Sequence, residues 1–404
     1  LRILESKNVS GQLFISMTHQ KVLQALRQAD YLSPKYHVVI ANPPYMGGGG
    51  MNGRLGAWLK DNYADVKTDL FSAFIVRNTE MTLPKGQLGF MSPFVWMFIS
   101  SYEKLRSFLI NQKTITSLVQ LEYSGFDGAT VPVCTFTIEN TSRPLFKGGF
   151  VRLSDFRGSE NQGPKTLEAI KNKDCGWFFR ASAADFEKIP SCPIAYWAPV
   201  SVIHAFENGR FLDDLVYARI ALATGDNGRF IRQWPEVSIQ NVGFDIKSNE
   251  DSVASGRKWF PCNKGGDYRK WYGNNDNVVN WLNDGEEVKS LTEPETGRIR
   301  SHNYNGDFGF QESVTWSALS SSKLGVRYSK RGFMFVTPGS SAFKKRGDVN
   351  LLVVQSLLSS KVADYFLRLI SATMNIEVGN ILRIPIVPSD AVTTAIAKSA
   401  IELG

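Results

Sequence analysis

The sequence is poor in the residues that bind metals or close disulfides. It has four cysteines and four histidines in 404 residues. Cys134, Cys175, Cys192 and Cys262 form no CxxC pair, and His19, His37, His204 and His302 are as scattered. That spacing argues against a structural zinc site or a disulfide framework, and no metal is expected. No His–acid or Cys–His arrangement points to nucleophilic catalysis. No apolar run reaches the roughly 18–20 residues of a membrane span. The start does not resemble a signal peptide, basic and then apolar. A cytoplasmic protein with no membrane partner is expected. No Gly-Lys-Ser/Thr closes a glycine loop, which excludes a P-loop. No Asp…Glu-x-Lys cluster in a strand context supports a nuclease.

What is present is length, charge and a changing texture. The length predicts two or three domains. The formal charge is +8 and the isoelectric point about 9.2. Such a balance favours a polyanionic partner, nucleic acid first, over a merely solvated basic surface. The opening "LRILESKNVSGQLF" carries no initiator Met, so the chain is expected to begin inside a longer protein.

Residues Gln20–Asp30 space Val22, Leu23, Leu26 and Ala29 at helical intervals. Lys35–Ala41 is a short apolar strand. Asp69–Thr82 reads as a helix, Leu83–Gly86 as a turn and Gln87–Pro93 as a second strand. "SSYEKLRSFLINQ" is a helix with Ser100 or Ser101 as its expected cap. Ile115–Glu122 and Pro132–Asn140 are two further strands. The alternation predicts a mostly parallel α/β sheet with helices on both faces. The loop "YSGFDGATVP" is too short for a crossover helix, so the last strand is expected antiparallel at the sheet edge. Beyond Asn140 the chain is turn-rich, and Pro190, Pro193 and Pro199 suggest a boundary. From His204 to about Pro388 it is aromatic and basic. "NLLVVQSLLSSKVADYFLRLI" has helical periodicity, and "ILRIPIVP" reads as a strand.

The stretch "VVIANPPYMGGGG" carries the strongest chemical signal. Ligands of parallel sheets bind beyond the carboxyl ends of the strands. Asn42 offers one carbonyl acceptor and two donors there. Pro43 and Pro44 have no N–H, and their φ angles are fixed. The Asn42 amide oxygen and the Pro43 carbonyl can therefore converge on one amino group, with the Tyr45 ring beside them. A clamp of two acceptors next to an aromatic face suits the exocyclic amine of an extruded base. The alternative is an ordinary turn, because Asn and Pro are common turn residues. Gly47–Gly50 are either a surface loop or a mobile loop that admits a base.

"VVIANPPY" resembles motif IV of the adenine-N6 DNA methyltransferases. "DLFSAFIVRNTE", "GQLGFMSPFVW" and "GFDGATVPVCTFTIEN" resemble, in order, the helix, strand and hairpin that follow it. "NPPYMGGGGMNGRLGAWLKDNYADVKTDLFSAFIVR", "DYRKWYGNNDNVVNW" and "MNIEVGNILRIPI" are similar to the methyltransferases of BREX phage-defence systems. The resemblance covers essentially the whole chain. It implies that Asn42, Pro43, Pro44 and Tyr45 are catalytic: Asn42 and Pro43 bind the adenine N6 amine, and Tyr45 stacks on the flipped base. It implies S-adenosyl-L-methionine as methyl donor, double-stranded DNA as substrate and other BREX defence proteins as partners. The Gly-rich donor loop of such enzymes, and the acidic residue after their second strand, do not occur before residue 37. Asp69 and Phe71 remain as candidate donor contacts, the donor pocket is expected to be incomplete, and the chain alone is expected to be inactive.

The expected fold is therefore a partial doubly wound Rossmann-like methyltransferase sheet with an antiparallel edge strand, followed by an α+β target-recognition domain. Residues 1–150 are expected to be the C-terminal part of the catalytic domain and 151–204 a connecting segment. Residues 205–390 are expected to be the DNA-binding domain and 391–404 a tail or helix. In that domain Arg269, Lys270, Tyr272, Arg327, Lys330, Arg331, Lys344, Lys345 and Arg346 are candidate DNA contacts, since cations meet phosphates and Arg can read base edges. Trp271 and Trp281 are expected in the core. The competing reading is a non-catalytic DNA-binding specificity component of a restriction or defence complex.

Overall fold

The apolar run ahead of Asn42 forms strand β1, Tyr36–Ala41. The computed structural model describes residues 2–7, 13–126, 131–303, 305–318, 323–371, 376–386 and 401. Contacts divide the chain into two units, Leu1–Trp197 and Ala198–Gly404. The first holds a six-stranded sheet. Its other strands are β2 (Thr82–Pro93), β3 (Thr114–Gln120), β4 (Val133–Glu139), β5 (Gly148–Arg152) and β6 (Phe178–Ala181), in the order β1-β2-β4-β3-β5-β6.

The sheet is mixed. β1 runs parallel to β2 and β3 parallel to β5, while β4 is antiparallel to both β2 and β3. The expected antiparallel strand is present, but it is interior. Leu88 and Phe90 of β2 lie opposite Ile138 and Phe136 on one side of β4, and Leu118 of β3 lies opposite Phe136 on the other. The reason lies in its pairing: one face of β4, with Cys134, Phe136 and Ile138, is enclosed as in any one-sided strand, and hydrogen bonding to β2 on one side and β3 on the other makes it interior. β1 is the edge, and Ile40 on it is 80% exposed. The expected turn at Leu83–Gly86 lies inside β2 as an irregularity: Lys85 has φ 63° and the pairing slips between Tyr36 and Val38.

Five helices of this unit are α1 (Leu13–Leu32), α2 (Gly53–Asn62), α3 (Leu70–Glu80), α4 (Glu103–Gln112) and α5 (Ser159–Lys171). Phe71 and Ile75 of α3 and Leu105 and Leu109 of α4 pack with Leu88, Phe90, Leu118 and Phe136 in one core. The other face of the sheet is covered unevenly. Ala169 of α5 packs with Val151, Leu153 and Leu121, whereas Val38, Ile40, Ser117 and Thr135 are exposed. Ser100 and Ser101 do not cap α4. They form a 3-10 turn with Tyr102, which occupies the cap position without a side-chain bond.

Of residues 151–204, expected as a connector, 151–197 are folded into this unit. β6 pairs with β5, and the Tyr196 ring stacks on Phe150 at 4.8 Å while its hydroxyl donates to Gln120 Oε1 at 2.8 Å. The second unit holds two four-stranded sheets. One has the order β13-β9-β10-β8 and the other β12-β11-β14-β7. Their strands are β7 (Val216–Arg219), β8 (Ile231–Gln233), β9 (Trp259–Asn263), β10 (Asn277–Asn280), β11 (Ser313–Trp316), β12 (Val326–Ser329), β13 (Met334–Phe335) and β14 (Ser341–Lys344).

The long periodic stretch near the end is two helices, α6 (Leu351–Leu358) and α7 (Lys361–Ile370). The break falls at Ser359-Ser360, because the Ser360 hydroxyl accepts the Ala363 N–H at 3.1 Å and starts a new helix. "ILRIPIVP" is not a strand where it is described. A helix, Val378–Leu382, covers its start, and Pro385 makes one isolated bridge to Phe211. Its last residues, 387 and 388, and almost all of the expected tail lie outside the described residues. No helix among the described residues is long and apolar enough to cross a membrane.

Candidate active site

β1 ends at Ala41, and the next residues leave the sheet at its carboxyl end. Pro43 is buried while Asn42 and Pro44 are exposed, so the first proline anchors the loop and the amide of Asn42 faces outward. Tyr45 is 39% exposed, and its ring edge meets Phe71 at 6.4 Å. Its hydroxyl donates to Asn42 Oδ1 at 3.4 Å. That is long for an O–H···O bond, so the Asn42 acceptor is available to a better donor. Partial burial, with buried Cys134 as a second cause, raises the Tyr45 pKa above its usual value. The ring therefore stays a neutral phenol near pH 7.

The loop is braced from α3. Asp69 caps that helix, and the same carboxylate oxygen accepts the Phe71 N–H at 3.2 Å and the Met46 N–H at 2.9 Å. The Leu70 N–H in turn donates to the Met46 carbonyl at 3.0 Å. Asp69 thus fixes the exit of the Asn42–Tyr45 loop. Phe71 is 1% exposed and packed between Tyr45 and Tyr102, which leaves no free face for stacking. Gly48–Gly50 form an exposed 3-10 turn. None of Gly47–Gly50 has a positive φ, and a Cβ at Gly48 or Gly49 would meet nothing within 4 Å.

The cations of the second unit separate into three groups. Arg269, Lys270, Lys330 and Arg331 are exposed and Tyr272 is half-buried. Lys344, Lys345 and Arg346 each face an acid: Glu312 at 2.7 Å, Asp213 at 2.8 Å and Asp348 at 3.1 Å. Arg327 is 1% exposed, and its Nε and Nη2 have no hydrogen-bond partner among the described residues. Burial pushes its pKa down to about 10. On this geometry Arg327 is an interior group and cannot reach DNA on the surface. No alternation along β12 marked it, since Val326, Arg327 and Ser329 are all buried, and Arg327 sits directly opposite Thr315 of β11. Trp281 is fully buried, and Trp271 is half-buried with φ 74°.

A family model described as Eco57I restriction-modification methylase matches residues 8–126. The chain is 35% identical over 390 residues to the adenine-specific methyltransferase PglX of Lacticaseibacillus casei (strain Zhang), covering 94% of this chain and 32% of that protein. It is 33% identical over 402 residues to the adenine-specific methyltransferase BrxX of Escherichia coli O9:H4 (strain HS), covering 98% and 31%. The chain is a homologue of PglX and BrxX.

It spans about a third of the length of these two relatives. The match to PglX and BrxX takes in both units, whereas the methylase family model ends within the first. The fold agrees. The Type IIL restriction-modification enzyme MmeI, solved in complex with DNA, superposes with a TM-score of 0.54 at 12% identity, over 90% of this chain and 48% of that one. A nuclease-deletion mutant of the Type ISP restriction-modification enzyme LlaGI, solved with a DNA substrate mimic, gives 0.53 at 12% identity, over 98% and 37%.

Asp69 and Phe71, the candidate donor contacts of the sequence, lie beside the Asn42–Tyr45 loop, the first as the cap of α3 and the second enclosed within it. The legible signal was the cap: Asp followed by an apolar helix pattern is an N-cap first.

Proposed function

We propose that this chain holds the target adenine and grips the duplex in an adenine-N6 DNA methyltransferase. The observation that carries the reading is the Asn42–Tyr45 loop at the carboxyl end of a parallel strand, with its amide outward and its backbone pinned by Asp69. PglX and BrxX are named adenine-specific methyltransferases, which supports the same base.

Asn42 Oδ1 and the Pro43 carbonyl accept the two N–H groups of the adenine amine. Both acceptors are neutral, so they orient the nitrogen lone pair without adding a competing charge. Tyr45 offers its ring to the extruded base, and its hydroxyl yields the Asn42 oxygen on binding. The rate gain comes from positioning and fixed dipoles, with no covalent enzyme intermediate. In the second unit Arg269, Lys270, Tyr272, Lys330 and Arg331 present donors to the DNA backbone, and Lys344–Arg346 exchange their acids for phosphates.

The methyltransferase homologues imply S-adenosylmethionine as the source of the methyl group. Phe71 is enclosed and does not fit as its holder, while Asp69 commits one carboxylate oxygen to the Phe71 and Met46 N–H groups. The second reading is a specificity component that binds DNA without transferring methyl groups. One experiment separates the two. The protein that carries this chain is incubated with duplex DNA and isotopically labelled S-adenosylmethionine. Label on adenine N6 supports the enzyme reading; DNA binding without label supports the second.

A further inference from the structure

β7 is the outer strand of its sheet, and it carries an arginine that no sequence spacing marked. Val216 and Ala218 are buried, so Tyr217 and Arg219 share the opposite face of the strand. The Arg219 guanidinium lies 4.9 Å from the centre of the Tyr217 ring and 4.9 Å from that of Phe308. The two rings meet edge to face at 5.8 Å, and Phe308 packs at 5.0 Å on the buried ring of Phe343. Two rings anchored in the core therefore grip the arginine. A guanidinium held against ring faces keeps its plane and has little freedom left to lose on binding.

Most of its donors are unspent. A guanidinium has five N–H groups. Among the described residues Arg219 donates one hydrogen bond, from Nη1 to the adjacent Ala218 carbonyl at 3.3 Å, and pairs with no carboxylate. The contrast with Arg327 is direct. Cross-strand pairing sets Arg219, Ser341, Thr315 and Arg327 in one row on one face of the sheet. At one end of that row the unpaired Arg327 nitrogens are sealed in; at the other, no nitrogen of Arg219 is both buried and unpaired.

A second cation stands beside it. Lys345 Nζ leans on the same Tyr217 ring at 5.1 Å and meets Asp213 at 2.8 Å. Lys345 is one of the three cations that exchange their acids for phosphates in the proposed function. The two charges are one ring apart, on the scale of the roughly 8.5 Å depth of a DNA major groove. A phosphate at Lys345 leaves Arg219 facing the floor of the groove next to it.

We infer that Arg219 reads a base edge, the O6 and N7 of one guanine, while Lys345 holds the adjoining phosphate. The inference rests on the DNA-binding reading of the second unit and adds a specificity-determining residue to it. Phosphate contacts position a duplex and carry no sequence information. A mobile point charge serves for them, whereas a fixed plane with paired donors is what the guanine edge matches.

The test presents a pool of duplexes with a randomised block to the protein that carries this chain. Bound DNA is sequenced, and affinity for the selected duplex is then measured across a salt series. R219K keeps the charge and loses the paired donors; R219A loses both. The native protein is expected to require a G·C pair at one position or more. Both variants are expected to lose that preference at one position by about 5- to 150-fold, the discrimination of one bidentate contact, with the other positions and the slope of log K against log salt unchanged. A phosphate contact behaves the other way: R219A lowers the slope by about 0.9 and keeps every preference. That result, or unchanged preferences in both variants, overturns the base contact and leaves DNA binding standing. A native protein that binds duplexes without selecting a G·C pair does the same. A native protein that binds no duplex overturns the DNA reading, and this inference with it. Melting temperatures are recorded throughout, and where R219A melts early the preferences of R219K decide.

Discussion

The Asp69 carboxylate accepts the Met46 N–H at 2.9 Å, so the cap of one helix also fixes the backbone one residue beyond Tyr45. Replacing Asp69 by Ala removes a cap, at a cost of about 1 kcal/mol, and frees the loop exit. Asp69→Asn keeps the acceptor and is expected to restore most of both. Thermal unfolding reads the first effect. The second is read as methyl transfer in the protein that carries this chain, where kcat is expected to fall further than the melting temperature alone explains. Equal activity of Asp69→Ala and the native protein contradicts a positioning role.

Gly48 and Gly49 need no glycine for space or for backbone angle. Alanine at both positions is expected to stabilise the fold by about 0.4–1 kcal/mol each, through the unfolded chain. If the loop admits a base by moving, the same double variant slows adenine entry. That is read as a slower rise of 2-aminopurine fluorescence on mixing with DNA. An unchanged rate assigns the glycines to a passive turn.

The two buried arginines are expected to behave oppositely. Arg106 on α4 donates to the carbonyls of Ser191, Trp96 and Ile99 at 3.0, 2.9 and 2.8 Å. Arg106→Met removes all three bonds and takes the donor from the buried Trp96 carbonyl, while Ile99 keeps the Tyr102 N–H; it is expected to destabilise by about 1–3 kcal/mol. Among the described residues Arg327 makes only a 3.4 Å contact, to the Gly325 carbonyl. Arg327→Met is expected to be neutral or stabilising by about 1–3 kcal/mol, and to leave DNA affinity unchanged. Urea unfolding and DNA titration decide both; a large loss of DNA affinity would put Arg327 at the interface after all.

Cys134 and Cys262 are buried, and burial pushes each thiol up to about 12. Burial also raises Cys192, which is half-buried beside Arg106. A raised pKa means less thiolate at a given pH, so labelling at mildly alkaline pH should modify Cys175 first and Cys192 next. Cys134 and Cys262 should react only on unfolding, as mass spectrometry of the labelled peptides would show. Early labelling of Cys134 contradicts the interior position of β4.

How much of this was legible in the sequence follows the range of the interactions. Local signals carried: the strand before Asn42, the periodicity of α3 and the fixed geometry of two prolines each depend on neighbours a few residues away. Strand order did not. β4 alternates like a half-buried strand, and only its pairing with β2, which precedes it by some forty residues, shows it to be interior. The break at Ser359-Ser360 was hidden by apolar periodicity on both sides, although two serines before Lys361 are a capping signal. Arg327 reads as a surface cation until Thr315 is set opposite it.

The most direct test of the central claim is the single-turnover rate of N6-methyladenine formation with Asn42→Ala, measured beside its affinity for the same duplex. Losing one preorganised hydrogen-bonding group at a reacting centre costs about 10²–10³ in rate. The account predicts a fall of at least that size with DNA affinity nearly unchanged. Transfer at a substantial fraction of the native rate would contradict it.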